Sequence, residues 1–202
     1  VANAGPDQTV NENTLVTLDG TGSIDPDLDT RYFAWTQTGG LPVTLTGNTF
    51  WMAYQHDLLV EDSSNVVVGP NNFDRSPRYN YGSSSNVNGG LVFRNSRDCT
   101  LTGLHVNGVW RKPAAVLLEK CDRFHLANAT ILDSDGVGLL LRDTTNTRIS
   151  GCVIRDDRAE RKATRSLQII GGKGNWVLQN VLANGQNVVP GTAKLEGNSD
   201  GR

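Results

Sequence analysis

From residue 58 onward the chain repeats a pattern that no isolated element could satisfy. Five windows of sixteen residues align without gaps, starting at Leu58, Leu91, Val116, Leu139 and Leu167. Window positions one and three are apolar throughout: Leu58/Val60, Leu91/Phe93, Val116/Leu118, Leu139/Leu141 and Leu167/Ile169. Position eleven reads Val68, Leu101, Leu126, Ile149, Val177, and position sixteen reads Phe73, Val106, Ile131, Ile154, Leu182. Each window therefore holds three short extended pieces whose alternate residues face one interior. None could bury its apolar positions alone, whereas stacked windows build one continuous core. The pattern predicts an all-β solenoid of about five coils.

Other columns refine the picture. Position six is small or a thiol in every window (Ser63, Ser96, Cys121, Thr144, Gly172), as a crowded inward site requires. Cys99, Cys121 and Cys152 fall at different inward positions and read as buried thiols, with no metal-ligand spacing among them. Position four alternates in charge (Glu61, Arg94, Glu119, Arg142) before ending at Ile170, which predicts a cross-strand ion-pair ladder. Position two (Leu59, Val92, Leu117, Leu140, Gln168) places an apolar row outside a sheet, where the N-terminal strands, another segment or a partner should cover it.

With these features the sequence resembles the pectate-lyase-like superfamily of right-handed parallel β-helices over residues 58–187. Asn71 and Asn180, both at position fourteen, suit the inward asparagines with which such coils satisfy turn backbone. Residues 2–47 differ: Leu18-Asp19-Gly20-Thr21-Gly22-Ser23, Asp25-Pro26-Asp27 and Ala34-Trp35-Thr36-Gln37-Thr38-Gly39-Gly40 resemble the front half of a PKD-type, immunoglobulin-like sandwich. Short alternating stretches such as Val43-Thr44-Leu45-Thr46 read there as antiparallel strands. Half a sandwich cannot close a core, so these strands should pack on the solenoid. The expected organisation is residues 1–50 as a partial PKD-like segment, 51–190 as the β-helix and 191–202 as an irregular tail.

Composition excludes several functions. Lys and Arg number 19 against 21 Asp and Glu, for a net charge of −2, which lacks the positive excess that bulk phosphate binding needs. No apolar run is long enough to span a bilayer. The chain starts at Val1 without a basic-then-apolar leader and reads as a processed or excised piece; the PKD-type resemblance implies a secreted or cell-surface protein.

Length varies only between position sixteen and the next position one, so all insertions should emerge on one side of the solenoid: Asn72–Gly90, Asn107–Ala115, Leu132–Gly138, Arg155–Ser166 and Ala183 onward. The fourth of these is dense in charge and could form a short helical turn. Tyr79, Tyr81, Arg78, Trp110 and Arg111 on that side combine aromatic faces for sugar rings with cations for acid groups, which points to an acidic polysaccharide or cell-surface glycan. Asp133 and Asp156 share position eighteen of neighbouring coils, where close carboxylates would raise one pKa or share a cation. The superfamily resemblance implies calcium on acidic residues and an Arg or Lys base. It thereby marks Asp133, Asp156, Asp157, Arg155 and Lys112 as catalytic candidates for a lyase or glycoside hydrolase, although no tight lyase signature is present. Asp25, Asp27 and Asp29 alternate in a loop and could supply oxygen ligands to calcium, or form a solvated turn. His56, His105 and His125 read as surface residues. Two functions remain open: a module that binds and perhaps cleaves an acidic polysaccharide, or a non-enzymatic adhesion or spacer module, including a fragment of a larger extracellular protein.

Overall fold

The computed structural model describes residues 43–51, 56–74 and 89–201. Among them there are nineteen strands and no helix. A first coil begins with β1 (Val43–Leu45) and β2 (Thr49–Trp51). Then follow β3 (Leu58–Glu61), β4 (Val66–Val68), β5 (Asn72–Asp74), β6 (Leu91–Arg94), β7 (Thr100–Thr102) and β8 (His105–Asn107). The middle coils comprise β9 (Ala114–Glu119), β10 (His125–Ala127), β11 (Thr130–Leu132), β12 (Gly136–Arg142), β13 (Arg148–Ser150) and β14 (Val153–Arg155). The last are β15 (Ala163–Ile170), β16 (Asn175–Leu178), β17 (Val181–Leu182), β18 (Gln186–Val188) and β19 (Ala193–Glu196).

Every third strand joins the same sheet. Sheet I runs β3-β6-β9-β12-β15-β18, sheet II runs β1-β4-β7-β10-β13-β16-β19, and sheet III runs β2-β5-β8-β11-β14-β17. All pairings are parallel, and the chain visits sheets I, II and III in turn, which makes the fold a right-handed parallel β-helix. The window columns coincide with the strand register: Leu91, Val116, Leu139 and Leu167 are side by side, as are Leu101, Leu126, Ile149 and Val177. Phe50 and Phe73 stack at 4.6 Å between ring centroids, and Phe93 meets Phe124 edge-on at 5.6 Å. Each coil supplies the surface on which the next buries its apolar positions.

Turns are fixed by two columns in the left-handed region. Position five carries Asp62, Asn95, Lys120, Asp143 and Gly171, all at positive φ, and position eight carries Asn65, Asp98, Arg123, Asn146 and Gly174. Asn, Asp and Gly tolerate that conformation best and dominate both columns. The amides of Asn71 and Asn180 act as expected. Asn71 Nδ2 donates to the carbonyls of Leu45 (3.0 Å) and Gly69 (2.9 Å), and Asn180 Oδ1 accepts from Cys152 N at 2.9 Å. The position-four ladder also forms: Arg94 bridges Glu61 (3.0 Å) and Glu119 (3.1 Å), and Arg142 reaches Glu119 at 2.8 Å.

Three expectations need correction. Val43–Leu45, read as part of an antiparallel segment, pairs in parallel with β4, because period-2 alternation marks a half-buried strand without fixing its partner's direction. Ala193–Glu196, assigned to an irregular tail, forms β19 on β16. Covered by a neighbour on one side only, that coil does not need the full apolar column that marks the inner ones. Arg155–Lys162 contains no helical turn. Residues 2–42 of the PKD-like resemblance, with Asp25, Asp27 and Asp29, lie outside the described residues. The outward row on sheet I is not a free apolar surface: Val92, Leu117 and Leu140 are buried in a second cluster with Ala114 and Val137. The expectation that the N-terminal strands cover this row concerns residues outside the description.

Candidate functional site

The second, third and fourth insertions, all between sheet III and sheet I, stack on one side of the solenoid, held by main-chain bonds from loop to loop. Asp135 N donates to Val109 O (2.8 Å), Gly136 N to Lys162 O (3.1 Å) and Val137 N to Pro113 O (2.9 Å). Across them runs an ionic seam. Arg158 grips Asp156 in a fork, Nε to Oδ1 and Nη2 to Oδ2 at 2.8 Å each, and also donates to Asp135 Oδ1 at 3.1 Å. The other oxygen of Asp135 accepts from Arg111 N at 3.0 Å. One guanidinium thus ties the third and fourth loops together, and Asp135 extends the tie to the second.

Asp156 is the most constrained carboxylate of the seam. It is 1% exposed and also accepts from the main-chain N–H groups of Arg158 (3.1 Å), Lys162 (3.0 Å) and Ala163 (3.0 Å). Burial alone would raise its pKa; the Arg158 guanidinium and the three amides outweigh that and hold it well below the usual carboxylate range. The neighbouring Asp133 does not complete an acid pair with it, since Asp133 Oδ1 instead accepts from Asp157 N at 2.9 Å. The expected raised pKa is therefore replaced by a lowered one, because a cation and aligned amides face Asp156. Asp157 forms an ion pair with Arg155, and the Arg155 hydrogen bond lowers its pKa. Lys112 is half-buried; burial lowers its pKa, and the charge of Asp57 opposes the shift.

Among the sequence-derived candidates, Asp133, Asp156, Asp157, Arg155, Trp110, Arg111 and Lys112 come together on this face. Arg78, Tyr79 and Tyr81 lie outside the described residues. Arg158, which organises the seam, was missed; its place two residues after Asp156 was the available signal. A shallow hollow lined by Ser134, Gly138, Arg155, Arg165, Ser166 and Asn184 lies beside it.

Fold and site together define an all-β solenoid whose described loops stack on one side. The family described as "Periplasmic copper-binding protein (NosD)" matches residues 43–199, so the chain belongs to the NosD family. No curated protein matches the sequence. A crystal structure of a protein from Parabacteroides merdae ATCC 43184, provisionally described as a glycosyl hydrolase, is 7% identical with a TM-score of 0.47, covering 75% of this chain and 78% of that one. The plasmid-mediated fluoroquinolone resistance protein QnrB1 is 10% identical with a TM-score of 0.26, covering 79% and 89%.

The family description names copper, whose donors would be imidazole and sulfur. The chain has three His, three Cys and one Met. Cys99, Cys121 and Cys152 are buried, and burial raises all three thiols, Cys121 to about 11. His105 is on sheet III and His125 on sheet II, while His56 precedes sheet I. Among the described residues no three His, Cys, Asp or Glu side chains converge. The donors among the described residues do not fit a copper centre.

Proposed function

We propose that this chain is an extracytoplasmic β-helix module that binds an acidic polysaccharide on its loop face. The observation that carries this reading is the Asp135–Arg158–Asp156 seam. General acid catalysis needs a carboxyl that takes up a proton near working pH, and Asp156 is held far from that condition. The same seam fixes the loop bearing Trp110, Arg111 and Lys112 through the main-chain bond from Arg111 to Asp135. A preordered loop loses less entropy on binding. Arg111 is exposed, Trp110 and Lys112 half-exposed, an arrangement suited to a sugar face and an acid group. Arg78, Tyr79 and Tyr81 belong to the same proposal by sequence position, as does calcium at Asp25, Asp27 and Asp29. A location outside the cytoplasm follows the family's periplasmic description.

The test mixes the protein with acidic and neutral polysaccharides, with calcium and then with chelator. Binding by affinity electrophoresis is scored beside new reducing ends and unsaturated products. Retardation by acidic chains only, weakened in Trp110→Ala/Arg111→Ala at unchanged melting temperature, is the expected result. New products would establish a lyase or hydrolase. Silence on every chain would favour the spacer or adhesion reading.

A further inference from the structure

Window position ten points away from the core on sheet II, opposite in role to the crowded inward columns. There Thr100, His125, Arg148, Trp176 and Lys194 stand side by side on β7, β10, β13, β16 and β19. Neighbours are one strand apart, about 4.8 Å. Trp176 is 47% exposed, more than the other large apolar side chains exposed among the described residues. The Lys194 ammonium lies 4.6 Å from its ring centroid. Arg148 is exposed and makes no ion pair or side-chain hydrogen bond among the described residues. A single carboxylate, Glu196, occurs within the strands of this sheet, and it meets Lys194 at 3.2 Å.

We propose that this column is a binding site for an anionic polysaccharide whose chain runs along the solenoid axis. Arg148 takes one acid group as a fork, Trp176 meets the apolar face of the next sugar ring, and Lys194 takes the following acid group. Arg148 and Lys194 are two strand steps apart, about 10 Å. That spacing selects a chain carrying a carboxylate on every second sugar. The strands are hydrogen-bonded on both sides along most of the column, so the three groups are held in line before the ligand arrives. A single exposed ring, a nearby carboxylate and a net charge of −2 argue against a nucleic acid, which uses successive stacking rings and a positive excess. This site is on a different sheet from the loop face and does not depend on the loop-face reading.

The experiment titrates the full chain calorimetrically with a hyaluronan oligosaccharide, which bears a uronate on every second ring, and with a neutral dextran oligosaccharide of equal length. Hyaluronan binding should weaken with salt and fall at least tenfold in Arg148→Ala/Trp176→Ala. It should fall several-fold in Lys194→Ala and tighten several-fold in Glu196→Gln, a gain that misfolding could not produce. Trp110→Ala/Arg111→Ala should leave this site unchanged, so failure of either site is separable from failure of the other. Unaltered hyaluronan affinity in the Arg148/Trp176 variant, equal binding of dextran, or no tightening in Glu196→Gln would overturn the proposal. Tighter binding of a single-stranded DNA oligonucleotide, lost in the same variants, would reassign the column to nucleic acid.

Discussion

Replacing Asp156 with Asn keeps the side chain's shape while removing its charge and turning one acceptor into a donor. The wild-type carboxylate accepts from Arg158 through N, Nε and Nη2, and from the amides of Lys162 and Ala163. In Asp156→Asn the new NH2 group must face donors, and Arg158 keeps only Asp135. Breaking a buried pair by neutralising one partner costs about 3–5 kcal/mol. Arg158 is partly exposed and retains a partner, which places the expected loss near the lower end, about 3 kcal/mol. For a chain of this size that is a fall of about 6–12 °C in melting temperature, read by circular dichroism and checked by urea titration. Acidity supplies a second readout. Because the folded pKa of Asp156 is depressed, its stabilisation is fully present above the ordinary aspartate value of 3.8 and is lost as pH falls from there toward the folded value. The gap between wild type and Asp156→Asn should therefore be constant from neutral pH down to about 5 and narrow below about 4. The exposed Asp157→Asn is the control and should change stability little. A melting temperature for Asp156→Asn within 2 °C of wild type, on the order expected of an exposed substitution, would refute the seam as a structural element.

Further outcomes follow from the core and its turns. Asn175→Ala removes donation to Thr144 O (2.8 Å) and Thr192 O (3.0 Å) and acceptance from Thr147 N (3.1 Å), so it should cost about 2–4 kcal/mol in urea unfolding; a loss under about 1 kcal/mol would contradict that accounting. Native protein should leave Cys99, Cys121 and Cys152 unmodified by a thiol reagent at pH 8 and expose all three in denaturant, since burial raises each thiol pKa. Rapid native labelling would overturn their placement. Copper titration should show only weak surface association; one tightly held equivalent with imidazole or thiolate ligation would show that the donors converge after all.

Much of the fold was legible because a solenoid writes its geometry into the sequence. Inward residues such as Leu139, Leu141, Ile149 and Ile154 recur at fixed positions because each coil repeats the same surroundings. The asparagines at position fourteen and the charge alternation at position four were readable for the same reason. The end coils were not. Val43–Leu45 and Ala193–Glu196 sit where neighbours are fewer, and they carry only part of the column pattern. The seam was half legible: Asp133, Asp156 and Asp157 were singled out, but their roles depend on which donors face them.

The sequence alone determined the coil: its three short strands, its apolar columns and its position-fourteen asparagines. These follow from local periodicity, which survives without knowledge of any distant contact. Tertiary structure decided what the charged residues do. Asp156 is a candidate acid in the sequence and a saturated anion in the fold, because Arg158 and the amides of Lys162 and Ala163 are aimed at one oxygen pair. Likewise Arg148, Trp176 and Lys194 are scattered along the chain and become one row only when β13, β16 and β19 hydrogen-bond in register. Charge acts through distance and desolvation, and both are set by the packed fold.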